Sequence, residues 1–181
     1  MSIVMPRYDE EKATQVAAFL LQQNNRSMGL LMHTKIMYNI QREAIERWSF
    51  PIIHDSICSM QHGQVLSDTY DNTKPHNGRV YWNEYIDRKQ DVLSLRKSCP
   101  IGQLSRAEMS LIKEIYNRDI EKGLKQLLKE HHDYLEWIDP GDSMIPTDYE
   151  ELLKVLGKTP EQISAFKNDL SAEAYMEALV V

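Results

Sequence analysis

The densest run of groups able to bind a metal or move a proton is His131-His132-Asp133, with Glu130 and Glu136 close by. Zinc-type chemistry needs three or four ligand atoms converging on one point. Adjacent residues on a helix point about 100° apart, so His131 and His132 cannot readily share one ion. The spacing that does put two histidines on one helical face, HExxH, is absent. The reading adopted for this run is structural: His132 satisfied as a polar residue at a helix end, His131 solvated. A metal-dependent enzyme using His131, His132 and Asp133 is the competing reading.

His33, His54, His62 and His76 are scattered among Ser, Asp and Cys neighbours. A nucleophile–base–acid triad is assembled by the fold, so sequence proximity does not identify one. Cys58 and Cys99 lack CxxC spacing and read as reduced thiols. No Walker loop, dinucleotide glycine fingerprint or nucleophile elbow occurs. Gly123, between Lys122 and Lys125, sits in a helical stretch and cradles no phosphate. Asn25-Arg26-Ser27 matches a glycosylation acceptor without the secretory context that would use it. Tyr81, Trp82 and Tyr85 form an aromatic cluster: either core packing or an anchor for a partner, since Trp and Tyr are enriched at interface hot spots. No catalytic, cofactor-binding or metal-ligating residue is assigned.

Something must position these groups, and the elements read as mainly helical. Asp9 caps a first helix with Glu10 and Glu11 in its first turn. Val16, Phe19 and Leu20 share its inner face. A second helix runs from about Leu31 to Trp48, with Ile36, Met37, Ile40, Ala44, Ile45 and Trp48 as its stripe, and Phe50-Pro51 closes it. Alternation over Ile53 to Gly63 predicts a short strand broken by Gly63. Val65 to Asp71 reads as a short helix, and Val80 to Ile86 as another. Val92, Leu93 and Leu95 predict a second strand that pairs with the first. Ser105-Arg-Ala-Glu108 is a capping box opening a helix through Arg118, and Glu121 to about Glu130 continues as a separate one. Thr147-Asp-Tyr-Glu150 is a second capping box, and Gly157 suits the end of that helix. Thr159-Pro160 opens a last helix with Phe166, Leu170 and Ala174 inward.

The fold expected is therefore mainly α: one compact helical domain with a small two- or three-stranded antiparallel β element. It spans 1–181, with a core of about 9–157 and a C-terminal helix of about 160–179. The 181 residues bury enough surface to need no disulfide or metal staple. With 42% hydrophobic and 27% charged residues, dominant disorder is not expected. The longest apolar run, Val16 to Leu21, is far too short to cross a bilayer. The first twelve residues lack a signal peptide's apolar core, which makes the cytosol the expected compartment. A net charge of -6 argues against a general nucleic-acid binder, which needs a phosphate-neutralising basic face.

Six blocks in register resemble the Panacea, or SocA-like antitoxin, domain family. They are Lys12 to Leu21; Lys35-Ile-Met-Tyr38 with Arg42-Glu43-Ala44; Ser59 to Ser67 with Tyr70-Asp71; Tyr81 to Ile86; Leu104 to Glu108; and His132 to Trp137 with Asp139-Pro-Gly141 and Ile145 to Glu150. Together they cover about residues 9–157. The chain departs from the family pattern where Gln64 replaces proline after His62-Gly63, which frees a φ angle and adds a backbone donor. Leu135 also stands where the pattern commonly has proline.

The resemblance implies the antitoxin of a bacterial or prophage toxin–antitoxin pair. It would neutralise a cognate protein toxin by direct contact, with no catalytic residue required. A proteolytic adaptor that hands the toxin to a protease is the variant it allows. The expected partner-binding residues are Met60, His62, Gln64, Tyr70 and Trp82. The partner is expected to be basic, because the chain's acidity is uneven. Residues 133–181 carry 3 Lys and Arg against 11 Asp and Glu, whereas 1–132 carry 18 against 16. Either these acids are the solvated faces of surface helices, or Glu150, Glu151 and Glu161 help steer a basic toxin.

Overall fold

The computed structural model describes residues 3–179. Seven helices and two small antiparallel sheets make up the described chain, which is mostly α-helical. The order is α1 (Glu10–Gln23), β1 (Ser27–Gly29), α2 (Leu30–Trp48), β2 (Ile57–Met60), β3 (Gly63–Leu66), α3 (Ser67–Asn72), α4 (Val80–Tyr85), β4 (Ile86–Lys89), β5 (Val92–Leu95), α5 (Arg106–Asp133), β6 (Ile145–Thr147), α6 (Tyr149–Val155) and α7 (Pro160–Leu179).

The core forms where α1, α2 and α5 meet. Along α1, every residue from Ala13 to Leu21 is buried. Such a helix is enclosed on all sides rather than amphipathic. Along α2, Ile36, Met37, Tyr38, Ile40, Ala44 and Ile45 are buried against Leu111, Ile112 and Ile115 of α5. Each fully buried Leu or Ile contributes roughly 1.5–3 kcal/mol of transfer free energy. Asp9 caps α1 by accepting the Lys12 N–H at 2.9 Å. Ser105 and Glu108 exchange both bonds of the capping box that starts α5. Within α5, Gly123 adopts φ +73° and ψ 162°, interrupting the helix near the place where the sequence divides it in two.

The β structure is more extensive than expected and is divided differently. Val92–Leu95 does not pair with the strand near Cys58. It pairs with β4 and β1, giving one sheet of order β1-β5-β4. The second sheet has order β3-β2-β6. Residues Gly63–Leu66, read from sequence as a turn and the start of a helix, form β3, and the helix begins only at Ser67. Thr147 ends β6 rather than capping α6. Asp148 is the cap, accepting the Glu150 N–H at 2.8 Å. Gly157, at φ +72°, terminates α6 with its N–H on the Lys154 carbonyl. Ile163, Phe166 and Leu170 dock α7, while Ala174 is only partly covered.

Candidate functional site

The polar side chains with the most unusual surroundings gather where α2, the β3-β2-β6 sheet and the end of α5 meet. Lys35, Tyr38 and Arg42 project from one face of α2 at i, i+3 and i+7. Lys35 is fully buried and donates from Nζ to the Gln64 carbonyl at 2.9 Å. Burial lowers its pKa to about 7. Tyr38 donates to Glu136 Oε1 at 2.8 Å, and Arg42 Nε reaches the same oxygen at 2.7 Å. Burial, reinforced by the Glu136 charge, holds the Tyr38 phenol well above its ordinary value.

Gln64, fully buried, is the cross-piece of this joint. Its Nε2 donates to Ser59 Oγ at 3.0 Å and to the Glu136 carbonyl at 2.8 Å. Its Oε1 accepts from Thr147 Oγ1 at 3.2 Å. One amide therefore ties together β2, β3, β6 and the segment after α5. A proline here could make none of these bonds, so the departure from the family pattern is answered by a side-chain network.

The hairpin turn is seated on His131. Gly63 has φ +98°, and a Cβ added to it would stand 2.5 Å from the His131 Cβ. Both backbone geometry and space therefore require glycine. His131 is fully buried, contrary to the expectation that it is solvated, because the β2–β3 turn closes over it. The rings of Tyr38 and Tyr134 lie 5.5 and 5.1 Å away. Burial, and then the nearby Lys35, hold its imidazole well below the ordinary value. His132 points elsewhere: it is exposed, its Nε2 lies 3.0 Å from the Gln61 carbonyl, and its ring meets Trp137 at 4.5 Å. The two histidines do not converge on a metal. Lys35, Tyr38, His131 and the Glu136 carboxylate are groups that catalysis commonly uses, yet none exposes its side chain here.

The joint holds one surface. Trp137 Nε1 donates to the Met60 carbonyl at 3.0 Å, and the Ile138 N–H to Ser59 Oγ at 3.1 Å. These bonds pin the segment after α5 onto β2. Ser59 pairs with Ile145, so Met144 continues the register beside Met60. Leu135 is 82% exposed, Ile138 58% and Met144 49%. With partly buried Met60 and Trp137 and exposed His62, they form an apolar patch around the hairpin tip. Asp133, Asp139 and Asp142 flank it, exposed and without an ion-pair partner among the described residues.

Of the five residues expected to touch a partner, the structure brings three to this hairpin: Met60, His62 and Gln64. Gln64 is a strut there and presents no surface. Tyr70 lies on α3, beyond the far end of β3, and lines a separate cavity with Leu31, Arg88 and Leu124. Trp82 is 2% exposed in α4, where its N–H bonds to Glu10, so it belongs to the core. Nothing in the sequence pattern flags Leu135, Trp137, Ile138 and Met144, because a loop has no periodicity. Glu150 and Glu151 are also less free than their sequence suggests: Lys154 pairs with both, and Lys167 with Glu150.

Fold and site define a mainly helical domain in which two small sheets flank the helices, one of them locked by a buried polar joint. The joint falls almost wholly within the stretch matched by a known family's profile. This chain belongs to that family, described as antitoxin SocA-like, Panacea domain, and the match covers residues 34–138. No curated protein and no solved structure matches the chain.

Proposed function

We propose that this chain is an antitoxin that neutralises a cognate protein toxin by binding it directly at the β2–β3 turn and the 134–144 segment. Family membership supplies the antitoxin role. The observation that carries the location is the exposure of Leu135, Ile138 and Met144 on a backbone pinned by internal hydrogen bonds. Rigid, exposed apolar side chains gain more on burial than they lose in ordering. Met60 and His62 contribute to the face, and Gln64 positions it. The aspartates at its edge favour a basic partner, by steering the encounter more than by adding affinity. No catalytic step is invoked, because occlusion suffices.

The test is co-expression with the product of the adjacent reading frame. Rescue of growth and co-purification of a complex are expected, with the toxin's half-life unchanged. Leu135→Asp with Ile138→Asp should abolish rescue while leaving the fold intact, since both side chains are exposed. Asp139→Asn with Asp142→Asn should slow association at low salt only. A double variant that still rescues fully would overturn the assignment of the face, and absence of both rescue and complex would overturn the antitoxin reading.

A further inference from the structure

Ahead of β2, away from the turn that follows it, three ligand-type side chains converge that the antitoxin reading does not use. His54, in the segment between α2 and β2, faces Glu173 and Glu177 of α7. One ligand atom from each lies within 4.8 Å of the other two. Glu173 and Glu177 are four apart on α7, which places both carboxylates on one helical face. His54 Nε2 is sealed from solvent and has no hydrogen-bond partner, although Glu173 Oε2 is only 3.4 Å away. Glu177 Oε2 accepts the Arg7 N–H at 2.9 Å, leaving its second oxygen available. The lysine lining the adjoining cavity is committed elsewhere: Lys12 Nζ bonds Glu108 at 2.8 Å and the Gln103 carbonyl at 2.6 Å. A cavity of about 220 Å³ adjoins all three groups, with room for water to complete a coordination shell.

We infer that His54, Glu173 and Glu177 form a binding site for one divalent transition-metal ion of the zinc type. One imidazole nitrogen and two carboxylate oxygens suit that class, whereas magnesium and calcium prefer oxygen alone. A coordinating imidazole is uncharged, so the two carboxylates supply the charge that balances a divalent ion. The site's consequence follows from how α7 packs. Its buried residues are Ile163, Phe166 and Leu170, so residues 171–179 are at most partly covered. A metal bridging α7 to the segment before β2 staples this otherwise weakly held end to the domain.

The experiment uses the full untagged chain, stripped with chelator and titrated with zinc chloride in a calorimeter. Native mass spectrometry counts the ions, and hydrogen exchange follows residues 171–179. One zinc per chain is expected, with slower exchange over 171–179. Magnesium should do neither. Both effects should be lost in His54→Ala and in Glu173→Gln, and kept in His62→Ala, which removes an exposed histidine elsewhere. Glu173 is half-exposed, so its variant keeps the fold even if His54→Ala does not. Absence of binding, or binding undiminished in Glu173→Gln, overturns the site. Neither result bears on the proposed toxin contact, which uses none of these three residues.

Discussion

The two sheets of this domain are alike in size and unlike in construction. Each has three antiparallel strands, and each contains a hairpin of two four-residue strands closed by a two-residue turn. In β2–β3, seven of eight residues are buried, and the turn rests on a histidine through a glycine. In β4–β5 most residues reach solvent. There the strands and their flanks are laced by the exposed ion pairs Arg96–Asp87, Lys97–Glu84 and Arg88–Asp91. Ladder hydrogen bonding is the same in both, so it cannot be what distinguishes them. The difference is whether the polar groups are enclosed. An enclosed hydrogen bond is expensive to lose because the orphaned partner cannot turn to water, whereas an exposed one is replaced by solvent. The buried hairpin should therefore respond sharply to small changes and the exposed one barely at all.

Gly63→Ala should break that contrast most severely. It forces a residue with a Cβ into left-handed backbone and against His131, a combined cost of about 3 kcal/mol or more. For a chain of this length, that is a fall of roughly 10 °C in Tm, measurable by thermal denaturation. Because the turn carries the proposed partner face, toxin binding is expected to fail with it. Gln64→Met comes next. It keeps the volume but leaves Ser59, Thr147 and the Glu136 carbonyl each short of a partner, for a loss of about 2 kcal/mol. Hydrogen exchange at Ile138, whose amide rests on Ser59, should quicken. Unchanged exchange there would show that the 134–144 segment is held by something other than the joint.

Both positions show why part of the site was legible in the sequence and part was not. Gly63 announces itself as a breaker; His62 falls in the turn before it, and Met60 ends the strand that leads into that turn. The caps at Asp9 and Ser105 are local patterns, and each closes the bonds its residues suggest. Strands of three or four residues have too few repeats to show a period, which is why Gly63–Leu66 reads as the approach to a helix. Strand pairing is a long-range fact: nothing near Leu93 says that its partners are Met28 and Arg88 rather than Cys58. His131 reads as solvated because its burial depends on a turn about 70 residues earlier in the chain. Leu135, Ile138 and Met144 lie in an irregular segment where no periodicity exists to violate.

Lys35 allows the enclosed side to be probed without disturbing shape. Its folded pKa is about 7 and its ordinary value 10.5. Between those values the unfolded chain binds a proton that the folded chain does not, so stability rises as pH increases from about 7 toward 10. As pH falls toward 7, the folded lysine begins to titrate too and the advantage is lost. His131, with its imidazole held well below the usual value, adds the same sign of dependence at lower pH. Lys35→Met should flatten the slope above pH 7; it removes the cost of burying the amine and forfeits one bond to the Gln64 carbonyl, worth about 1 kcal/mol. Urea titrations at several pH values would report this. A slope equally steep in the variant would place the responsible group elsewhere.

The smallest effect belongs to the exposed hairpin, and its smallness is the point. Arg96→Ala removes a 2.8 Å ion pair to Asp87 whose partners are 50% and 26% exposed. Water and salt take over both charges, so the expected loss is below about 1 kcal/mol and shrinks further at high ionic strength. In the same hairpin Gln90 holds φ +53°, a conformation glycine adopts at lower cost. Gln90→Gly should therefore leave stability level or raise it slightly, whereas the reverse kind of change at Gly63 is severely destabilising. Both signs follow from left-handed backbone; only at Gly63 does an enclosed neighbour, His131, add to the cost. A large loss in Arg96→Ala would show that the exposed sheet is also held by its polar groups, and enclosure would no longer account for the difference between the sheets.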